Sequence, residues 1–143
     1  MSIHNMRNAI ILRHTIIHAA STGQLIVFKY LLQQTNTLDN MLRSKSIIDH
    51  ATHSGHINII KYYIEYRAKC KIPLNIRPII NASFQEASAN GNIDIIQYVI
   101  SLLGKLTSSD LYMIETARQC ADTNKKYNVW SYLGNVVHDY YNE

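Results

Sequence analysis

The chain has 143 residues, of which 47% are hydrophobic and 17% charged, and its net charge is +4. This length and composition predict one globular domain over residues 1–143 and exclude a disordered chain or a coiled coil. The longest apolar runs, such as "AIIL", are far shorter than the roughly 18 residues that a membrane-spanning helix needs. Cys70 and Cys120 alone imply no disulfide framework, so we expect a reduced, intracellular and cytoplasmic protein.

The first predicted element is an N-terminal capping helix over residues 1–12, and four similar sequence motifs follow it. The motifs, here called copies one to four, are "AASTGQLIVFKYLL" from Ala19, "ATHSGHINIIKYYI" from Ala51, "ASANGNIDIIQYVI" from Ala87 and "ADTNKKYNVWSYL" from Ala121. Two positions mark the register: the glycines Gly23, Gly55 and Gly91, and the tyrosines Tyr30, Tyr62, Tyr98 and Tyr132. Successive tyrosines are 32, 36 and 34 residues apart, and copy four has Lys125 in place of the glycine.

Each copy predicts two short helices joined by a turn. Small residues precede the glycine, which favours close approach of the first helix to its neighbours. Glycine accepts the left-handed backbone that commonly ends a helix. Apolar residues then recur two, four, five, eight and nine positions after the glycine, which is the pattern of an amphipathic helix. We expect the four tyrosines to pack between helices with their hydroxyls at the rim.

One such helix pair cannot bury its own apolar side, so the copies should stack as a short helical solenoid. The predicted fold is all-α, with repeats over residues 14–34, 45–67, 79–103 and 109–134 and a C-terminal cap or tail over 135–143. The linkers should be short and irregular. Candidate helix starts are Asp39 as an N-cap, Pro78 at the first turn, and Ser108 or Ser109 as an N-cap.

The pattern Gly-x-(Leu/Ile)-x-(Val/Ile)-(Phe/Ile)-(Lys/Gln)-Tyr after a small-residue helix resembles the second half of an ankyrin repeat. The resemblance covers roughly residues 14–133 and implies about four helix-turn-helix repeats with short fingers. The family's Thr-Pro-Leu-His opening is missing, since "HTII", "SIID" and "ASFQ" stand in those places. The Ile-, Asn- and Tyr-rich composition is similar to that of ankyrin proteins of large DNA viruses. This similarity would imply that the protein is located in the host cytoplasm.

The resemblance also implies a function, namely non-enzymatic binding of another protein on the concave face of the stack. In ankyrin repeats, the two residues before the turn glycine commonly contact the partner. By that correspondence, the contact positions here are Ser21, Thr22, His53, Ser54, Ala89 and Asn90, and in the divergent copy four Thr123 and Asn124. The alternative for each residue is that it is merely exposed. We expect a monomer, with self-association of the apolar ends near 10–12 and 136–141 as a further hypothesis.

Basic residues in the second linker suggest an alternative function. Arg67, Lys69, Lys71 and Arg77 could track the phosphates of a nucleic acid or another anionic surface. Only Tyr66 could add a stacking aromatic, and no nucleic-acid-binding motif is present, so a solvated loop is the competing interpretation.

Three histidines, His50, His53 and His56, form the sharpest candidate for a metal site. Residues three apart share a helix face, so His50 and His53 could hold a metal together. Ankyrin repeats often have a histidine at the place of His56 that bonds the neighbouring turn, so the resemblance implies such a contact here. The polar Gln24 and Asn92 of the other copies fit this role better than that of a metal ligand. We expect helix-end histidines without a metal or other cofactor. No nucleophile–base set or phosphate loop can be assembled from the spacing, so we do not expect an enzyme.

Overall fold

The computed structural model describes residues 3–34 and 41–143, with side chains from residue 7 in the first range and residue 43 in the second. These residues form eight helices and no strand, which confirms the all-α prediction. The helices are α1 (Ile3–Thr22), α2 (Leu25–Gln33), α3 (Met41–His53), α4 (Ile57–Lys69), α5 (Asn81–Asn90), α6 (Ile93–Leu103), α7 (Ser108–Thr123) and α8 (Tyr127–Tyr141).

The chain forms two compact units, an N-terminal unit Met1–Leu74 and a C-terminal unit Asn75–Glu143. In the N-terminal unit, α1 packs against α2 and α3, and α4 packs against α3 and α2. The C-terminal unit repeats this arrangement, with α5 against α6 and α7, and α8 against α7 and α6. Each unit therefore contains two helical hairpins side by side, first helix against first helix and second against second. A single domain over the whole chain remains a prediction.

Some predicted helix boundaries near the ends of the chain are wrong. α1 runs without a break from Ile3 to Thr22, so the capping helix predicted over residues 1–12 is, from Ile3 onward, part of the first helix of copy one. No proline or glycine interrupts that stretch, and the helix simply continues into copy one. α8 likewise extends through Tyr141, so most of the segment predicted as a cap or tail is helical.

The predicted starts of α5 and α7 are also displaced. Pro78 lies in a turn and α5 begins only at Asn81. The N-cap of α7 is Thr107 rather than a serine, because Thr107 and Asp110 form a reciprocal capping box. The Asp110 amide donates to Thr107 Oγ1 at 3.2 Å, and the Thr107 amide donates to Asp110 Oδ2 at 2.9 Å. The proposed Asp39 cap falls outside the described residues.

The turn inside each hairpin has the same backbone in all four copies. Gly23, Gly55 and Gly91 have φ values of 72°, 76° and 77°, which confirms the predicted left-handed helix ends. The next residue donates its amide to the carbonyl of the buried alanine five positions earlier, the longer bond of a Schellman motif. These bonds are Gln24 to Ala19 (3.0 Å), His56 to Ala51 (2.8 Å), Asn92 to Ala87 (2.9 Å) and Lys126 to Ala121 (2.8 Å).

Copy four keeps this turn although it lacks the glycine. Lys125 has φ 59°, a left-handed conformation that crowds its Cβ against the backbone. The residue that follows has φ between −79° and −93° and ψ between 72° and 80° in every copy, close to an inverse γ-turn. The second helix then begins at once. Copy four is therefore a repeat in its geometry as well as in its sequence.

The core of each unit lies between the two hairpins. The four alanines that accept the turn bonds are buried, and so are apolar residues of the second helices, among them Phe28, Ile60, Ile96 and Val129. Burial of one Ile or Phe side chain contributes roughly 1.5–3 kcal/mol relative to exposure. Such contacts between hairpins supply the interior that one hairpin lacks.

The repeated tyrosines do not share one environment. Tyr62, Tyr98 and Tyr132 are half-buried, as predicted, and burial raises the pKa of Tyr132. Tyr30 is 63% exposed, so the prediction is wrong for copy one. The reason is positional, since no helix described within the N-terminal unit covers that side of α2. At the C-terminus, Tyr141 is exposed and Tyr140 is half-buried.

Replacing Lys125 by glycine should stabilise the chain, because glycine adopts the left-handed turn without crowding. We expect Lys125→Gly to be more stable than Lys125→Ala by about 0.5–1 kcal/mol. Glycine avoids the energy cost of a left-handed Cβ, but it loses more conformational entropy on folding, and the difference between these two effects is what remains. Alanine is the matched control, since both variants lose the charge but alanine keeps the Cβ. Urea unfolding gives the difference, and equal stability of the two variants would show that the turn is unstrained.

Candidate partner-binding surface

The contact positions of copy one lie at the C-terminal end of α1. Ser21 is half-buried and Thr22 is exposed. Both hydroxyls donate back to the His18 carbonyl, at 3.0 Å from Ser21 Oγ and 2.8 Å from Thr22 Oγ1. Their protons are thus used within the helix, while the oxygen lone pairs remain able to accept hydrogen bonds from a ligand.

The contact positions of copy two lie at the corresponding end of α3. His53 and Ser54 are both exposed. Because α1 packs against α3, the four positions of the N-terminal unit sit at the same ends of two adjacent helices. The row that they form presents hydroxyl and imidazole groups and contains no Lys, Arg, Asp or Glu.

The C-terminal unit places the remaining positions in the same way. Ala89 is half-buried and Asn90 exposed at the end of α5, while Thr123 and Asn124 are exposed at the end of α7. α5 packs against α7, so these residues also form a row across two helix ends. The Asn124 side-chain amide donates to the Cys120 carbonyl at 2.8 Å, which leaves its oxygen available.

The residue after the left-handed position links the two turns of each unit. The His56 ring lies so close to Gly23 that a Cβ added there would be 2.6 Å from Nδ1. In the C-terminal unit, the aliphatic chain of Lys126 covers Gly91, where an added Cβ would be 3.0 Å from Cδ. A side chain of one copy thus covers the turn glycine of the copy before it. The contact of His56 with a neighbouring turn was predicted from the sequence, but the equivalent contact of Lys126 in copy four was not.

The histidines lie at helix ends and in a turn. His50 Nδ1 is 2.7 Å from the Ser46 carbonyl and so donates to it within α3, while the His56 ring packs on the neighbouring turn. Within the ranges that the structure describes, no group of three His, Cys, Asp or Glu side chains could hold a metal ion. The three histidines therefore do not assemble a candidate metal centre.

Arg67 is wrongly predicted as a solvated loop residue. It lies in α4 and is only 5% exposed, because the helix continues to Lys69 and places Arg67 one turn after the buried Tyr63. Arg67 Nη1 donates to Ser44 Oγ at 2.9 Å and to the Tyr63 hydroxyl at 3.3 Å, and Nε donates to the Ile72 carbonyl at 3.1 Å. This network ties α3, α4 and the segment after α4 together.

Arg77 belongs to the other unit and is bound to a carboxylate. Its Nε lies 3.2 Å from both oxygens of Asp110, and Nη2 donates to Asp110 Oδ2 at 3.0 Å and to the Leu103 carbonyl at 2.7 Å. Burial of the Asp110 carboxyl raises its pKa, but hydrogen bonds from Arg77 and Thr107 outweigh that effect and lower it. Of the four predicted cations, Lys69 and Lys71 are exposed and have no such partner in the part of the chain described.

A cleft of about 440 Å³ lies in the C-terminal unit beside the end of α8. Its lining combines apolar residues with three charged ones, Lys105, Asp139 and Glu143. The residues that line it include no Ser, Cys or His. The cleft therefore offers no nucleophile paired with an imidazole base.

No family model, curated protein or solved structure gives a significant match to this chain. None of the helices in the described ranges combines the length and apolar content that a membrane crossing requires.

The Arg77–Asp110 pair gives a pH-dependent prediction. A carboxyl whose pKa is lower in the folded state stabilises the fold above its unfolded pKa of about 3.9, and this stabilisation disappears as pH falls through the folded pKa. We expect Asp110→Asn to lower the free energy of unfolding by about 1–2 kcal/mol at about pH 7. This is less than the loss expected for a fully buried ion pair, because Arg77 is partly exposed and solvent screens the interaction.

Urea unfolding of both proteins between about pH 7 and pH 2.5 measures the effect. The difference between wild type and Asp110→Asn should shrink below about pH 4, because asparagine does not titrate. A difference that stays constant over this range would mean that Asp110 is not charged in the fold.

Proposed function

We propose that the chain is an ankyrin-type helical repeat protein that binds another protein and performs no catalytic step. The binding surface is the pair of helix-end rows, Ser21–Thr22 with His53–Ser54 in one unit and Ala89–Asn90 with Thr123–Asn124 in the other. The shared family features are the period of 32 to 36 residues, the left-handed glycine and the paired helices.

One observation carries this proposal: a constant turn follows a variable pair of residues. The backbone after each pair is nearly the same in four copies, down to the bond to the buried alanine. The pairs themselves read Ser-Thr, His-Ser, Ala-Asn and Thr-Asn. A scaffold that holds the main chain fixed while the exposed side chains differ suits recognition of a particular partner.

The chemistry of the rows indicates the kind of partner. Hydroxyl, amide and imidazole groups donate and accept hydrogen bonds, and the rows contain no Lys, Arg, Asp or Glu. They suit the polar side chains and exposed main-chain groups of a folded protein surface. A site of this kind gains its affinity from a few well-placed contacts rather than from net charge.

Electrostatic binding through residues 67–77 is less well supported. Arg67 is buried within its own unit and Arg77 is bound to Asp110, so half of the cations that motivated this hypothesis are already used in the fold. Two exposed lysines, Lys69 and Lys71, make a small patch, and the salt-dependent affinity for a phosphate backbone scales with the number of phosphates that cations neutralise.

The test is affinity capture from the native host cell with three baits. The first bait is the wild-type chain, and the second carries Thr22→Arg, His53→Arg and Asn90→Arg, which place bulky groups on the rows. We expect proteins captured by the wild type to be lost from the second bait, with binding to the purified partner weakened at least tenfold. Such a loss is typical when central contacts are blocked.

The third bait is a matched control with Asn58→Arg and Gln97→Arg, two exposed positions on the second helices α4 and α6. It adds similar charge and bulk away from the rows and should retain the partner. All baits should melt at the same temperature. If the row variant binds as well as the control, the rows are not the binding surface.

A further inference from the structure

The first hairpin leaves several apolar side chains exposed to solvent. Four side chains define a surface, here called the N-face: Ile11 is 63% exposed, Ile26 84%, Val27 40% and Tyr30 63%. Single exposed apolar residues are ordinary, but several on one hairpin mark an interaction surface.

The N-face corresponds to the side of copy two that another hairpin covers. Val27 and Tyr30 occupy the register of Ile59 and Tyr62. In copy two, Ile59 is fully buried, and the Tyr62 ring meets the Phe28 ring edge-on at 6.4 Å. Copy one therefore exposes the same positions on which a preceding hairpin would stack.

Ile26 strengthens this conclusion. Its register is held by Asn58, Asp94 and Asn128 in the other copies. Asn58, Asp94 and Asn128 are all exposed, as Ile26 is. Nothing in the fold of the hairpin requires an apolar residue there, so Ile26 extends the apolar surface beyond what the repeat needs.

The last hairpin offers the complementary side, here called the C-face, centred on Trp130. Trp130 occupies the register of Phe28, the residue that covers copy two, but it is 39% exposed where Phe28 is fully buried. The Arg118 guanidinium lies over the indole at 4.3 Å from the ring centroid. Asp122, exposed on α7, takes the register of the buried Ala20. An aromatic ring is thus left partly exposed at the position that packs onto a neighbouring hairpin.

The charges of the two units are opposite. Residues 1–74 contain nine Lys and Arg against three Asp and Glu, a net charge of +6, whereas residues 75–143 contain five against seven, a net charge of −2. Lys29 of the first hairpin lies over the Tyr62 ring, on the side that meets copy two, so it is the net charge of the whole unit that matters here. Opposite net charges favour the approach of an N-face to the C-face of another molecule over the approach of two N-faces.

We propose that the N-face binds the C-face of a second copy of this chain, head to tail. The contact repeats the packing of Phe28 on copy two, with Trp130 of one molecule in the role of Phe28. Arg118 and Asp122 make the C-face more polar than the sides buried inside each unit, so the association is weak and reversible. A head-to-tail interface leaves one free face at each end, and longer oligomers form at high concentration.

Sedimentation velocity of the full chain over a wide range of concentration tests the proposal. The wild type should shift from monomer to dimer and larger species as concentration rises, and added salt should weaken the shift. Ile26→Asn with Tyr30→Lys, which blocks the N-face, should remain monomeric, and so should Trp130→Gln, which blocks the C-face. Ile72→Asn, at an exposed isoleucine outside both faces, should behave as the wild type.

Mixing the two blocked variants gives the decisive result. Each variant keeps one intact face, so a head-to-tail interface predicts a one-to-one dimer that does not grow further. Wild type that stays monomeric at every concentration would overturn the proposal, as would a mixture without the dimer. Self-association of Trp130→Gln alone would assign the contact to two N-faces instead. Unchanged circular dichroism melting shows that the variants are folded, and Ile26→Asn introduces the residue type of copies two and four.

Discussion

The packing of one helical hairpin on the next is the constraint on which the rest of the structure depends. A hairpin of two helices has one apolar side and no interior of its own. In the N-terminal unit, the ring of Phe28 is fully buried and meets the rings of Tyr62 and Tyr63 edge-on at 6.4 and 6.2 Å. Such aromatic pairs add about 0.5–1.5 kcal/mol to the burial of their area. The apolar side of the second hairpin is thus buried by contact with the first.

This packing works only if successive hairpins have the same shape, and the turn provides that. A left-handed residue followed by a γ-like residue fixes the direction in which the second helix leaves the first. The two turns of each unit then touch, as His56 covers Gly23 and Lys126 covers Gly91. Because the main chain is fixed by bonds to buried alanines, the exposed side chains before the turn are free to differ. Structural constancy and surface variety come from the same local arrangement.

The sequence predicted the elements whose signals are local. Repeated glycines and apolar periodicity were enough to place the helix pairs and the left-handed turns, and even Lys125 was recognised as standing in a glycine position. The capping box of Thr107 was missed in favour of the neighbouring serines, although Asp110 three residues later was the available signal. Helix ends of this kind depend on one or two hydrogen bonds and are hard to place from residue types.

Features that depend on contacts across the chain could not be predicted. Arg67 looks like a surface cation in the sequence, and only the continuation of α4 and the approach of Ser44 make it a buried donor. The exposure of Tyr30 follows from its place in the first hairpin, where nothing described in that unit covers it, and the repeat pattern alone treats all copies as equal. The location of the candidate binding residues at helix ends could be predicted from the sequence. The sequence could not show which of their hydroxyls donate back to the helix.

Native-state hydrogen exchange on a Phe28→Ala variant tests the central claim most directly. The substitution removes the ring that covers copy two and changes nothing in α4 itself. If hairpins depend on their neighbours, the amides of α4 over residues 57–69 should exchange faster, along with those of α2. The free energy of opening should fall in both helices by up to roughly 3–5 kcal/mol, the cost typical of Phe→Ala in a core. Faster exchange confined to α2, with α4 as protected as in the wild type, would show that each hairpin is stable alone and would contradict this account.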